Sequence, residues 1–355
     1  MNARGDLGDA RLLADAERSL LLAEQHIRLL DRVTPENLSR ERQRLAEALT
    51  AGRRAEPRFE YRAVELRAVA RGLEALMREL ASEGNLARLF AERAEELLLE
   101  AELVESVGSR RFAGLARRRY PSEPSPALEA LVEELAAGMV ETDELIEVEA
   151  PHPQSLLNVV RRRIAEWKLP VRVELRTQLS CVAAAGDGFV AIRRGAHLSA
   201  LAAERVAAHE LLAHVMPRLQ AAHEALGIYR VGTRGANEDE EGRALCIEQR
   251  LATWDSARRR ELAFRHRAAE RVHAGVELND CVHELVRAGA TFDHALDWSL
   301  RALRGGGLAR EIVYLPAMLR FSHAIANDPS CERFFERGRV SLVAVPALRA
   351  FELSP

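Results

Sequence analysis

The chain has 355 residues, 48% of them hydrophobic and 30% charged, a globular composition that excludes disorder as the main state. Its 51 Lys and Arg stand against 54 Asp and Glu, a net charge of −3, so the basic excess of a general nucleic-acid binder is missing. Length predicts two domains, or one large domain with an appended lobe. Cys181, Cys246, Cys281 and Cys331 are far apart and form no CxxC pair, so neither a disulfide framework nor a thiolate zinc cluster is expected. The first ten residues carry Asp6 and Asp9 around no apolar segment, which argues against a signal peptide. No stretch approaches the ~20 apolar residues of a membrane span, and the expected setting is the cytoplasm, without nucleic acid or membrane as partner.

Helices dominate the first part. Leu12, Leu13, Leu20, Leu21, Leu29 and Leu30 recur at helical spacing over 11–33. Thr34-Pro35-Glu36 predicts a helix start, with a capping hydroxyl, proline in the first turn and an acid at the positive end of the dipole. After a break at 57–61, helical patterns run over 63–80 and 85–107. Three prolines and two serines in 120–126 mark a connector, a further helix covers about 127–137, and Pro151-His152-Pro153 is the expected boundary between an N-terminal helical lobe (1–150) and a second domain (151–355). Past a helix over about 155–167 the pattern changes. Val171-Arg172-Val173-Glu174-Leu175 alternates as a half-buried strand does. Gly186-Asp187-Gly188 reads as a hairpin turn into a second strand, Phe189-Val190-Ala191-Ile192. That strand, just ahead of the next helix, is a candidate to receive a peptide as an added strand. Ser199 caps a long helix running past His214, and helices prevail from 241 onward. The fold class is α+β, predominantly helical.

The helix after Ser199 carries His209-Glu210-Leu211-Leu212-Ala213-His214. Two imidazoles suit zinc, and a glutamate beside the first can take a proton from water activated by the metal, the logic of HExxH proteases. Here the histidines are one residue further apart. At ~100° per residue, positions four apart lie ~40° apart on a helix and positions five apart ~140°. Both imidazoles reach one ion only where the helix widens to a π-type turn or ends early, within 211–217; otherwise they are two unrelated histidines. Pro217 favours widening, because it cannot donate to the carbonyl of residue 213. A catalytic zinc needs a third protein ligand. Asn237-Glu238-Asp239-Glu240-Glu241-Gly242-Arg243-Ala244 offers acids at a helix start, where carboxylates also favour the dipole.

The sequence resembles a zinc carboxypeptidase-like family known by a QEGLA motif, whose animal members are the microtubule-associated tyrosine carboxypeptidases. The family's His-Glu-x-x-x-His helix matches 209–214, and its [QE]-E-G-L-A segment, which supplies a Glu ligand, matches Glu240-Glu241-Gly242-Arg243-Ala244. Weaker segments follow in the family's order. Residues 30–37 are similar to L-x-P-x-N, Glu56-Pro57-Arg58-Phe59-Glu60-Tyr61 to P-x-F-x-Y, Gly305-Gly306-Gly307 to a glycine-rich turn, Arg310-Glu311-Ile312-Val313-Tyr314-Leu315 to [KR]-[DE]-x-x-Y-L, and Gly338-Arg339-Val340-Ser341-Leu342 to G-K-[VI]-x-L. Leu212 stands where the family usually has glycine, and Arg243 where it has leucine.

The resemblance implies a zincin-like metallopeptidase core with a small sheet. It implies His209, His214 and Glu241 as ligands of one Zn²⁺, with Glu240 the alternative third ligand and Glu210 the general base. Tyr314 is the implied oxyanion donor. The terminal carboxylate of a peptide or protein substrate would be held by Arg310, Arg234 or Arg243. The expected function is a zinc carboxypeptidase. The rivals are a metal-binding regulatory protein that lost catalysis on the same fold, and a helical interaction scaffold. A glutamate that is not a ligand argues against the first rival, because a purely structural metal site has no use for a base.

Overall fold

The computed structural model describes residues 10–81, 84–138, 143–177, 179 and 181–352. The first nine residues, on which the signal-peptide argument rests, lie outside them. The chain is 67% helical with small sheets, in keeping with the α+β, predominantly helical class. No helix among the described residues is long and apolar enough to cross a membrane. Backbone contacts divide the chain into two compact units that interleave along the sequence: Met1–Ala137 with Arg260–Pro316 and Pro346–Pro355, and Gly138–Arg259 with Ala317–Val345.

The first unit is helical. The stretch 11–33 is not one helix but two, Ala10–Ile27 and Leu29–Arg32, because Arg28 turns left-handed (φ 45°) between them. The helix expected to open at Thr34 starts instead at Leu38 and runs Leu38–Thr50. The Thr34 hydroxyl is spent on the carbonyl of Leu30 (2.8 Å), and the Asn37 side chain is spent on Arg58 O (2.8 Å) and Glu60 N (3.0 Å). Neither is left to cap. Through Asn37 the two weak segments at 30–37 and 56–61 become one structural element. The next helices, Arg67–Leu80 and Asn85–Glu105, match the expected pair apart from a later start for the first. A core of Leu45, Leu49, Phe264, Leu296 and Leu300 forms where Phe264 stacks on Trp298 (5.5 Å, 6°).

The glycine turn at 305–307 has a steric cause. Gly305 sits at φ 71°, and a Cβ there would lie 2.3 Å from the Phe112 ring, while its N–H donates to the Tyr61 hydroxyl (2.9 Å). Nearby, Glu311 is buried against Arg301 and Arg265. Burial pushes its carboxyl up, but Arg301, Arg265 and Arg304 outweigh this and hold it well below the usual range.

The second unit holds the sheet. A short strand β1 (Ile146–Glu147) pairs antiparallel with β5 (His197–Leu198), while β2 (Arg172–Arg176), β3 (Ala183–Gly186) and β4 (Phe189–Arg193) stand in the order β2-β4-β3, with β2 parallel and β3 antiparallel to β4. Asp187-Gly188 makes the expected hairpin turn, with Gly188 at φ 73°. Placing Phe189–Arg193 centrally corrects the idea that it receives a peptide: both its edges are already paired, so it has no free edge to offer. The edge of the hairpin is β3. The sheet packs on helix Leu156–Glu166, on Ala200–Ala208 and on the turn that follows it, through Val190, Ile192, Val159, Val160, Ala203 and Leu211. Ser199 caps the second helix by accepting from Ala202 N (3.2 Å).

From Ala208 the chain runs into a π-helix, His209–Val215, then returns to α geometry over Met216–Ala221. The predicted departure from α geometry is present. It begins two residues earlier than the expected window, at His209 itself. Against it lies the helix Ala236–Arg250, through Ala213, Ala244 and Ile247. On another face that helix meets the segment 317–318 so closely that a Cβ at Gly242 would stand 2.5 Å from the Ala317 carbonyl carbon and 2.8 Å from Met318 N. The glycine of the acidic motif is therefore a packing requirement of two backbones.

Two outcomes follow from this packing. Gly242→Ala should destabilise the fold by roughly 1–3 kcal/mol or more, because rigid backbone and not a flexible side chain must yield; a denaturant midpoint unchanged from the parent would contradict the close approach. His266 is buried, and loss of hydration pushes its imidazole down to about 4. Both states leave it neutral above its ordinary pKa of ~6.5, but as pH falls below that the unfolded chain takes a proton the folded chain refuses until about 4. Stability should therefore drop between these values, and His266→Gln should flatten the drop in denaturant titrations at pH 7, 5.5 and 4.5.

Candidate metal centre

The π-helix determines how its two histidines face. An i→i+5 turn closes one residue later than an α turn, so residues five apart return to one side. His209 and His214 stand with their rings 5.1 Å apart, tilted by 56°, and their Nε2 atoms are 3.3 Å from each other. Glu241, from helix Ala236–Arg250, brings Oε2 to 3.6 Å from His209 Nε2. Among the described residues these three form a group able to hold a metal ion, their donor atoms all within 4.8 Å of one another.

The outer nitrogens have carboxylates of their own. His209 Nδ1 is 2.7 Å from Glu248 Oε1. An ionised carboxylate only accepts, so His209 Nδ1 is the donor to Glu248, and Nε2 is the ring nitrogen turned toward the other two groups. Glu248 is itself fixed by Arg258, whose Nε and Nη2 donate to its two oxygens (2.9 and 2.8 Å), and by Trp254 Nε1 (3.1 Å). Burial raises the Glu248 carboxyl, but Arg258 and His209 prevail and bring it to about 2. On the other side, Glu240 Oε2 lies 3.8 Å from His214 Nδ1. Burial raises this carboxyl too, while His214, Arg218 and Arg339 draw it below its usual value. Burial also drives the His209 imidazole down, yet Glu241 and Glu248 reverse the sign and lift it to about 10. The surrounding carboxylates favour a positive charge at this place, whether a proton or a metal supplies it.

Glu210, next in sequence to His209, lies near enough to help raise its imidazole. It is buried, and its Oε2 accepts from the backbone N–H of Ala185 on β3 (2.7 Å). Arg218 Nη1 donates to the carbonyl of the same residue (3.4 Å). Both outward backbone groups of Ala185 are thus engaged by side chains of the histidine helix.

The other expected residues fall as follows. Arg234 is exposed in the loop before helix Ala236–Arg250. Arg243, expected to meet substrate, is buried, and its guanidinium donates to Leu212 O (3.2 Å) and Ala213 O (3.5 Å) within the π-helix. Tyr314 and Arg310 belong to the first unit, where Tyr314 is buried between the guanidinium groups of Arg310 (5.3 Å to the ring) and Arg265 (5.7 Å). Glu248, Arg258 and Trp254 were missed by sequence reasoning. A signal existed for the first: Glu241 and Glu248 are seven apart, two helical turns, and so share a face.

The donor set fits a zinc-type ion. Two imidazole nitrogens and a carboxylate oxygen are the ligand types of a catalytic zinc. Ligands ~2.0–2.1 Å from a tetrahedral ion stand roughly 3.3–3.4 Å apart, close to the 3.3 and 3.6 Å found between His209 Nε2 and its two neighbours.

The family model of the microtubule-associated tyrosine carboxypeptidases matches residues 12–353. The chain therefore belongs to that family, whose name is that of carboxypeptidases. Neither the curated proteins nor the solved structures gave a match.

A metal-bound imidazole loses affinity when its outer hydrogen-bond partner is removed, typically ~10–100-fold. Glu248→Gln should weaken zinc binding by that factor in a chelator competition titration. An affinity equal to the parent's would show that Glu248 does not support His209.

Proposed function

From that membership we propose that the protein is a zinc-dependent carboxypeptidase that removes the last residue of a peptide or protein in the cytoplasm, on a zincin-like core formed by the sheet and the π-interrupted helix. The observation that carries the reading is Glu210: a buried carboxylate outside the three-donor group, next in sequence to one donor and oriented by a strand amide. A metal site with a purely structural task has no use for such a group.

His209, His214 and Glu241 would hold the ion. When bound, zinc supplies a Lewis acid that polarises the scissile carbonyl and lowers the pKa of water to about 7. Glu210 takes a proton from the attacking water at its carboxylate and later delivers it to the departing amine. Ala185 N–H holds one Glu210 oxygen at 2.7 Å, which leaves the other to exchange that proton. The buried outer carboxylates Glu248 and Glu240 keep the imidazoles turned inward through the cycle.

For the substrate end, an arginine suits a terminal carboxylate. With Arg243 directed to the π-helix, Arg234 and Arg310 are the proposed residues. The oxyanion role of Tyr314 is supported by the family resemblance and by its place in the matching segment. The family name directs the first substrate to try, a peptide ending in tyrosine.

Incubating zinc-loaded protein with peptides of varied C-termini should release single terminal residues, read by mass spectrometry. Glu210→Gln should keep the metal and lower turnover by ~10²–10⁴-fold. Turnover by the Gln variant at the parent rate would exclude Glu210 as the base. Metal binding with no hydrolysis of any peptide by the parent would favour the regulatory reading over the enzyme.

A further inference from the structure

The π-helix leaves a backbone problem that the sequence makes worse. Met216 N–H closes the last five-residue turn on the Leu211 carbonyl. The next residue is Pro217. Its missing N–H is the one that would close on Leu212 by the five-residue count, or on Ala213 by the four-residue count. Ala213 is fully buried and Leu212 packs beside it, so solvent is a poor substitute there, and a buried carbonyl without a partner costs about 1–3 kcal/mol.

The side chain that reaches these carbonyls is Arg243. Its Nη1 is 3.2 Å from Leu212 O and 3.5 Å from Ala213 O, one guanidinium nitrogen shared between the two groups that Pro217 cannot serve. Arg243 is only 6% exposed, in a packed position where its family's motif carries leucine. It stands two residues beyond Glu241 on the same helix. One helix thereby contributes a donor carboxylate to the metal group and a cation to the backbone that aims His214.

We propose that Arg243 is a positioning residue: it replaces the hydrogen bond lost at Pro217, and so holds the π-helix in the register that turns His214 toward His209. The inference rests on the metal reading of this site. It gives Arg243 a task in geometry, separate from substrate recognition.

Because the role is a replacement for one missing N–H, it is tested by coupling to Pro217. The probe is Co²⁺ alone, whose visible absorption reports ligand number and geometry without any need for hydrolysis. Four proteins are compared: the parent, Arg243→Leu, Pro217→Ala, and the double variant. The parent should bind Co²⁺ with a four-coordinate nitrogen- and oxygen-ligated spectrum. Arg243→Leu should weaken binding by roughly tenfold, the lower end of the effect of lost supporting interactions around metal ligands, and should change the spectrum. In the Pro217→Ala background, where residue 217 regains an N–H, the same leucine substitution should cost much less.

A full tenfold loss in both backgrounds would overturn the proposal, as would an Arg243→Leu protein with the parent's affinity and spectrum. Should Arg243→Leu fail to fold alone, folding of the double variant supports the proposal and failure of both contradicts it. A parent that binds no Co²⁺ would instead remove the metal reading itself, and the proposal with it, whatever the variants do.

Discussion

The candidate centre depends on one turn of backbone. Two histidines five residues apart point ~140° away from each other on an α-helix, and here their Nε2 atoms are 3.3 Å apart because the chain widens to a π-helix between Ala208 and Met216. Everything else arranged around the site serves that turn or uses it. Ser199 fixes where the approaching helix begins, and the sheet fixes the face on which it lies. Helix Ala236–Arg250 packs on Ala213 and delivers Glu241 and Arg243 from one turn and Glu248 from two turns further on. Gly242 lets the same helix approach the 317–318 backbone on its other side.

Charge is the second constraint. Glu240, Glu241 and Glu248 crowd two imidazoles in a site of low exposure. Three carboxylates and two neutral rings would repel any arrangement without a cation, and the lifted His209 imidazole expresses that imbalance as proton affinity. Arg258 balances Glu248 from outside, and Arg218 and Arg339 act on Glu240. Such crowding favours a cation among these groups.

Much of this was legible in the sequence, and the rest was hidden for identifiable reasons. The spacing of His209, His214 and Pro217 sufficed to predict a break from α geometry, because that argument needs only the helical repeat and the absent proline N–H. Ser199 and Asp187-Gly188 were readable since caps and two-residue turns are local. Glu248 escaped because its meaning lies in a partner 39 positions away in sequence. The helix start assigned to Thr34 failed for a similar reason: Asn37 is engaged by residues 58 and 60, and no local pattern announces such a tie. The sequence pattern marks Phe189–Ile192 as a strand, yet its central place depends on a parallel pairing with β2 that the hairpin alone does not reveal. Arg243 is a departure from the family motif and one of three candidates for the substrate carboxylate. Its neighbours in the structure, two carbonyls across the helix interface, follow only from the fold.

Whether His209, His214 and Glu241 hold one ion is decided by X-ray absorption at the zinc edge of the loaded protein. The expected spectrum shows one zinc per chain, two imidazole nitrogens and light oxygen neighbours at ~2.0–2.1 Å, no sulfur, and loss of one imidazole in His214→Ala. A sulfur shell, or a spectrum that His214→Ala leaves unchanged, would place the metal elsewhere and contradict this ligand set.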